Sequence, residues 1–233
     1  MEKFTAIVLA GGTGKRMHSH IHKQYLTLAG KPVLYYALKA FEESDITDII
    51  LVTGADEEAY CKRKIIDKYL IGKVKAIVPG GVGRYHSVYA GLCAAEGADY
   101  VLIHDGARPL VSADIIKRSM QAVKEYRACV AGMPVKDTIK IADEDGYAKL
   151  TPERSKVWQI QTPQSFSYPL VYEAYRKMLA DEDSAITDDA MVVERMTNQP
   201  VKLIEGNYRN IKITTPEDML IAEMYLKQGA SNI

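Results

Sequence analysis

The residues best suited to chemistry stand near the amino terminus. Gly11, Gly12 and Gly14 follow an apolar run, Lys15 and Arg16 come directly after them, and Lys23 lies seven residues beyond Arg16. Glycines let a backbone turn through positive φ and bring its N–H groups close to an anion, because no Cβ intervenes. With three cations in reach, the stretch is fitted to hold a polyphosphate. A Walker A loop would need Ser or Thr where Arg16 stands and wider spacing between its glycines. A dinucleotide fingerprint would need glycine where Met17 stands. A glycine-rich strand-to-helix turn with solvated cations explains the same residues without any ligand.

Other candidates are scattered along the chain. Asp105 and Arg108 lie in His104-Asp105-Gly106-Ala107-Arg108-Pro109, just past an apolar run. A carboxylate there suits a metal or a sugar hydroxyl, and an arginine three residues on suits a bidentate phosphate contact. An Asp–Arg contact that only fixes the loop is the alternative. Arg84, Tyr85, His86 and Ser87 open a helical stretch after Gly80, Gly81 and Gly83, where free N–H groups favour an oxygen-rich ligand and Ser87 is equally suited to capping. Thr162 follows the only tryptophan, and Thr187 is placed to cap a following helix. Arg154 and Lys212 are each ambiguous alone, although Ile211 and Ile213 flank Lys212 as on a short strand that would present it away from their face. His18, His20 and His22 alternate, but without a flanking carboxylate or cysteine they make a poor metal site. No G-x-S-x-G elbow is present, which disfavours a serine hydrolase.

These groups need a scaffold, and 233 residues suffice for one full core. With 47% hydrophobic and 26% charged residues the chain is neither disordered nor fibrous. Thirty Lys and Arg balance thirty Asp and Glu, so no global field draws it to nucleic acid or an anionic membrane. Cys61, Cys93 and Cys129 are widely spaced and read as reduced thiols. The amino terminus enters a strand at once, with no apolar run near the roughly 18 residues of a span, so a cytosolic enzyme is expected.

Strands are predicted at 5–9, 49–53, 76–79, 100–104 and 129–134, and helices at 33–43, 57–69, 84–95, 112–126, 168–179 and 216–226. This alternation implies an α/β fold with a mainly parallel sheet and helices on both faces, ligands sitting at the carboxyl ends of the strands. The glycine loop, the 79–81 turn and the 104–109 segment should then share one edge. Residues 136–158 break the pattern and read as a β-hairpin arm on a single domain spanning 1–233.

Together, the glycine loop, HDGARP, TPQSF, ITDDA and RNIKIT, in this order, give the chain a resemblance to the cytidylyltransferases that act on sugar-alcohol phosphates. It is most similar to the 2-C-methyl-D-erythritol 4-phosphate branch. Gly11 and His18 depart from that branch's commoner pattern, and the Leu-Ala-Gly-Gly form is shared with the ribitol-5-phosphate branch. The resemblance implies a Rossmann-like three-layer fold of the nucleotide-diphospho-sugar transferase type with a protruding β-arm. It implies transfer of a cytidylyl group from CTP to a polyol phosphate with Mg²⁺, the arm exchanging with a partner in a homodimer. By the same resemblance Arg16, Lys23, Arg154 and Lys212 are catalytic, and Ala10, Gly11, Gly12, Thr13, Gly14, Gly80, Gly81, Ser87 and Ala107 hold the nucleotide. Asp105, Arg108, Thr138, Thr162 and Thr187 serve the polyol phosphate, with Asp105 also the candidate metal ligand. A nucleotide-binding module without turnover is the reading from another class.

Overall fold

Alternation along the first strand sets the architecture. In β1 (Phe4–Ala10) the residues Ala6, Val8 and Ala10 pack into one apolar cluster and Ile7 into another, so both faces of the strand are covered. The structure, a computed structural model, describes residues 2–12, 22–181 and 186–230. After β1 come the short pair β2 (Thr27–Leu28) and β3 (Lys31–Pro32), then α1 (Val33–Glu42) and β4 (Asp48–Thr53). Next, α2 (Glu58–Cys61) passes through a π turn (Lys62–Ile66) into α3 (Asp67–Tyr69), followed by β5 (Val74–Pro79), α4 (Arg84–Ala94) and β6 (Tyr100–Asp105). The chain continues with α5 (Ala113–Tyr126), β7 (Ala128–Pro134), β8 (Ile141–Ala142), β9 (Ala148–Leu150) and β10 (Trp158–Ser167). It closes with α6 (Tyr168–Asp181), α7 (Asp189–Met196), β11 (Lys202–Glu205) and α8 (Pro216–Ala230).

Seven strands form one sheet in the order β11-β7-β10-β6-β1-β4-β5. All neighbours run parallel except β10, which is antiparallel to both β6 and β7. Helices α1 and α5 cover one face and α4, α6 and α7 the other, giving the expected three-layer α/β fold. Burial of Val33, Leu34, Ala37, Leu38 and Phe41 at helical spacing explains why α1 forms where it does. Ser112 caps α5, its Oγ accepting from the Ile115 N–H at 3.4 Å.

All five predicted strands are present. Two further strands of the seven-stranded sheet, β10 and β11, lie outside the predicted set, as does the short pair β2 and β3. The polar side chains of β10 hide it from an apolar-run criterion: Gln161, Thr162, Gln164 and Ser165 are buried, and Pro163 sits where the register with β7 shifts. Residues 211–214 form no ladder strand, which corrects the expectation for Lys212. The alternation survives because the Ile213 N–H donates to the Ala107 carbonyl at 2.8 Å, burying Ile213 and leaving Lys212 39% exposed.

Within the 136–158 stretch β8 and β9 pair as an antiparallel ribbon apart from the seven-stranded sheet, while its last residue, Trp158, already belongs to β10 and pairs with Pro134. The Asp143 carboxylate closes its turn by accepting from the N–H groups of Asp145 and Tyr147, and Gly146 has φ 86°. Every residue from Ile141 to Thr151 is exposed.

Candidate active site

A cleft opens at the carboxyl ends of β1 and β6, beside the start of α4. Leu9 to Gly12, Gly81 to Arg84, and Asp105 with Ala107 line it, so the three segments expected on one edge do share it. Lys23, Gln24, Ser87 and Lys212 complete the lining. Backbone bonds hold the segments together: Gly106 N–H donates to the Leu9 carbonyl and Gly80 N–H to the Thr53 carbonyl, each at 2.8 Å. Glycine is required at 106 because a Cβ there would stand 2.9 Å from the Leu9 carbonyl oxygen and 2.8 Å from Leu34.

The turn before α4 is shaped by Ser87. Its hydroxyl accepts from the Gly81 N–H at 3.1 Å and donates to the Gly83 carbonyl at 3.2 Å, while Gly83 occupies the N-cap without a side chain. Ser87 therefore braces the glycine turn from the first turn of the helix and does not cap it. Gly80 lies one step behind the lining. At the other wall Gln24 is buried and donates to the Ala10 carbonyl, and Lys23 Nζ donates to the Ile213 carbonyl at 3.0 Å. Lys23 and Lys212 are thus brought to the same wall by adjoining stretches of chain. Thr13, Gly14 and Arg16 lie outside the described residues.

Charge gathers around Asp105. Its Oδ2 is 2.7 Å from Lys212 Nζ and 3.9 Å from Arg108 Nε, and its Oδ1 is 3.7 Å from Arg84 Nε. Burial alone would raise its pKa, but the attraction of Arg84, Lys212 and Arg108 outweighs it and holds the carboxyl far below the usual range. Arg108 itself is packed beneath, donating to the Asn210 carbonyl at 2.8 Å, and burial pulls its pKa down despite Asp105.

A hydrogen-bonded chain sets the backbone of this segment. Thr162 Oγ1 accepts from the Asp105 N–H at 3.1 Å and lies 3.0 Å from His104 Nδ1. His104 Nε2 lies 3.2 Å from the Arg108 carbonyl, which can only accept. The ring is therefore protonated at Nε2 and takes the Thr162 proton at Nδ1. Burial lowers the His104 pKa to about 4, keeping it neutral. Thr162 is 4% exposed, its hydroxyl committed to this chain and turned from the cleft.

The other expected residues are dispersed. Thr187 is exposed, donates to Met191 Sδ at 3.6 Å, and leaves the N-cap of α7 to Asp188, which accepts from the Met191 N–H. Thr138 and Arg154 belong to the arm, where Arg154 donates to the Lys136 carbonyl at 3.3 Å, and neither lines the cleft of its own chain. Among the described residues no group of three His, Cys, Asp or Glu side chains is gathered for a metal, so Asp105 stands as a single carboxylate. Arg84, missing from the expected set, lines the cleft directly. Its place at the start of a helix, just after Gly80, Gly81 and Gly83, is the signal that would have nominated it.

A sequence profile of IspD, 2-C-methyl-D-erythritol 4-phosphate cytidylyltransferase, matches residues 4–228. The chain is 51% identical over 98% of its length to a protein of that name from Lachnoclostridium phytofermentans, covering 98% of it. It is 53% identical over 96% of its length to another from Lachnospira eligens, covering 99%. The crystal structure of 4-diphosphocytidyl-2C-methyl-D-erythritol synthase from Anaerococcus prevotii superposes with TM-score 0.86 at 37% identity, over 97% of this chain and 96% of that one. That of the Thermus thermophilus 2-C-methyl-D-erythritol 4-phosphate cytidylyltransferase gives 0.79 at 29% identity, over 97% and 100%. With the profile and these relatives each spanning nearly the whole of it, the chain belongs to the 2-C-methyl-D-erythritol 4-phosphate cytidylyltransferase family.

Proposed function

We infer that the cleft transfers the cytidylyl group of CTP to 2-C-methyl-D-erythritol 4-phosphate, giving 4-diphosphocytidyl-2-C-methyl-D-erythritol and pyrophosphate, a step of isoprenoid biosynthesis. The observation that carries this reading is the meeting of Lys23 and Lys212 on one wall of a glycine-lined cleft. The attacking group is a phosphate oxygen, already largely ionised because the second pKa of a phosphate monoester is about 6. No general base is needed. The barrier lies in bringing a dianion onto a triphosphate, and fixed cations around the reacting phosphorus lower it.

In this scheme the backbone of 10–14 with Gly81 and Ala107 cradles the nucleotide, and Gly80 and Ser87 hold that cradle in shape. Arg16 and Lys23 stabilise the transition state on the CTP side. Lys212 holds the incoming phosphate, with Asp105 fixing the ammonium. Arg108 and Thr162 act from beneath, by setting the carboxylate and backbone of Asp105, while Thr187 reaches the polyol phosphate from the α7 side.

Asp105 would suit Mg²⁺ as a carboxylate ligand: it stays ionised, and among the described residues the cation paired with its Oδ1 is Arg84, whose Nε stands 3.7 Å away. When bound, the ion supplies charge neutralisation on the triphosphate, and Asp105 Oδ1 is the protein oxygen that would hold it. Thr138 and Arg154 serve the site of a second copy, the arm of each subunit reaching over the other in a homodimer. The substrates are soluble phosphates, and the reaction is placed in the cytoplasm on that ground; no helix among the described residues is long and apolar enough to cross a membrane.

Pyrophosphate release from CTP tests the reading. Release is expected with 2-C-methyl-D-erythritol 4-phosphate and not with ribitol 5-phosphate. The reverse preference would move the chain to the ribitol branch, and silence with both would leave only nucleotide binding.

A further inference from the structure

Behind the cleft lies a buried carboxylate that the scheme above leaves without a part. Asp189, the first residue of α7, has a side chain that is wholly buried, and its two oxygens accept from Arg84 Nη1 and Nη2, each at 2.7 Å. Such a fork is the strongest geometry an arginine and a carboxylate can form. The phenol of Tyr175 donates to Oδ1 at 2.5 Å, and burial keeps that phenol protonated. Around this pair the elements are laced together: Gln164 of β10 accepts from the Ala190 N–H at 2.9 Å and donates to Asp188 at 3.0 Å. Arg84 therefore cannot swing.

The other edge of the same guanidinium faces the cleft, where Nε stands 3.7 Å from Asp105 Oδ1. Asp105 holds Lys212 through its remaining oxygen at 2.7 Å. Four charged groups of alternating sign thus run from the interior to the cleft: Asp189, Arg84, Asp105, Lys212. Without Asp189, Arg84 would have Asp105 as its nearest carboxylate and would compete with Lys212 for it.

We propose that Asp189 is a positioning residue for the reaction: by anchoring Arg84 it reserves the Asp105 carboxylate for Lys212 and so fixes the ammonium that meets the polyol phosphate. The proposal rests on the functional reading above and adds the first and second members of the row, Asp189 and Arg84, to it. Because Lys212 serves the acceptor, the defect on losing Asp189 falls on the acceptor and not on CTP.

The test is steady-state kinetics of Asp189→Asn, with Tyr175→Phe as the comparison and the melting temperature of each measured alongside. Tyr175→Phe removes a bond to the same buried carboxylate but leaves the fork to Arg84 in place. For Asp189→Asn, kcat/KM for 2-C-methyl-D-erythritol 4-phosphate should fall at least about tenfold, with KM for CTP within about twofold of the wild type. Tyr175→Phe should stay within about threefold on both. Wild-type kinetics in Asp189→Asn, an equal loss on both substrates, or equal losses in the two variants would each overturn the proposal in favour of a purely structural role. If Asp189→Asn does not fold, Arg84→Lys, which keeps the charge but cannot form the fork, replaces it under the same criteria. A crystal structure of the variant reads the arrangement without turnover: Lys212 Nζ should leave Asp105, and an unmoved ammonium would sink the proposal even if the enzyme proved to use another acceptor.

Discussion

Arg16 illustrates how a single side chain can be argued from chemistry alone. Losing one preorganised donor to a developing charge typically costs about 3 kcal/mol of barrier, roughly a hundredfold in rate. Arg16→Ala should lose kcat on that scale with the melting temperature unchanged, and near-normal turnover would remove Arg16 from the mechanism. His104 makes a prediction of another kind. Its folded pKa of about 4 lies below the ordinary value of 6.5, so the unfolded chain binds the extra proton first as pH falls. The protein should therefore lose stability between pH 6.5 and 4, by up to about 3 kcal/mol, and gain none of it back below. Urea unfolding of the wild type and His104→Gln across that window checks this, since the variant should flatten the slope. Asp105, with its pKa depressed, adds a separate loss at still lower pH, where its carboxylate takes a proton. At this scale the sequence was informative where a residue type stands beside matching chemistry, as with Lys23 near the glycine loop, whereas Lys212 was ambiguous without the family resemblance. The sequence marked Arg84 only through the glycines before it and was silent on its pairing with Asp189, which joins positions 105 residues apart and has no local signature.

Among the elements, α4 is the one whose placement matters most, since it carries Arg84 and Ser87 to the cleft. It lies close on the sheet because of Gly91: a Cβ there would stand 2.5 Å from Ile7 Cγ2 and 3.0 Å from Val52 Cγ2. Gly91→Ala should lift the helix and destabilise the fold by about 2 kcal/mol, the usual scale of overpacking, visible as a lowered melting temperature. The folded fraction should also turn over more slowly, because the cleft wall moves with the helix. Strands such as β1 and β6 announce themselves by unbroken apolar runs buried on both faces. In contrast, β10 is central yet polar, its glutamines and threonine satisfied by partners far along the chain, and no pattern within its own ten residues reveals that. Antiparallel insertion of this strand also departs from the simple βα alternation read from the order of elements.

For the molecule as a whole, the proposed homodimer is tested through the arm. Arg154 is remote from the cleft of its own chain and Lys212 lines it, so the two make a complementation test. Arg154→Ala and Lys212→Ala should each be nearly inactive alone. Mixed and allowed to exchange, they should recover about a quarter of wild-type activity, because about half the dimers are mixed and each of these has one intact site of two. Failure to recover any activity, with mixed dimers demonstrated, would show that the arm acts within its own chain. The hairpin is legible from its polar alternation and its Asp-Gly turn, whereas nothing in its local pattern says what it packs against.

The exposure of that hairpin also bears on how the protein ages. Its strands are two and three residues long, with every residue from Ile141 to Thr151 open to water, and an isolated ribbon of this kind has little to hold it closed. Lys140 and Lys149 sit on it as bonds that a trypsin-like protease can cut while the seven-stranded body stays folded. Clipped molecules would keep their melting temperature and lose their turnover. On this reading limited trypsin digestion should cut the arm before the seven-stranded body unfolds, and a body that is cut first would overturn it.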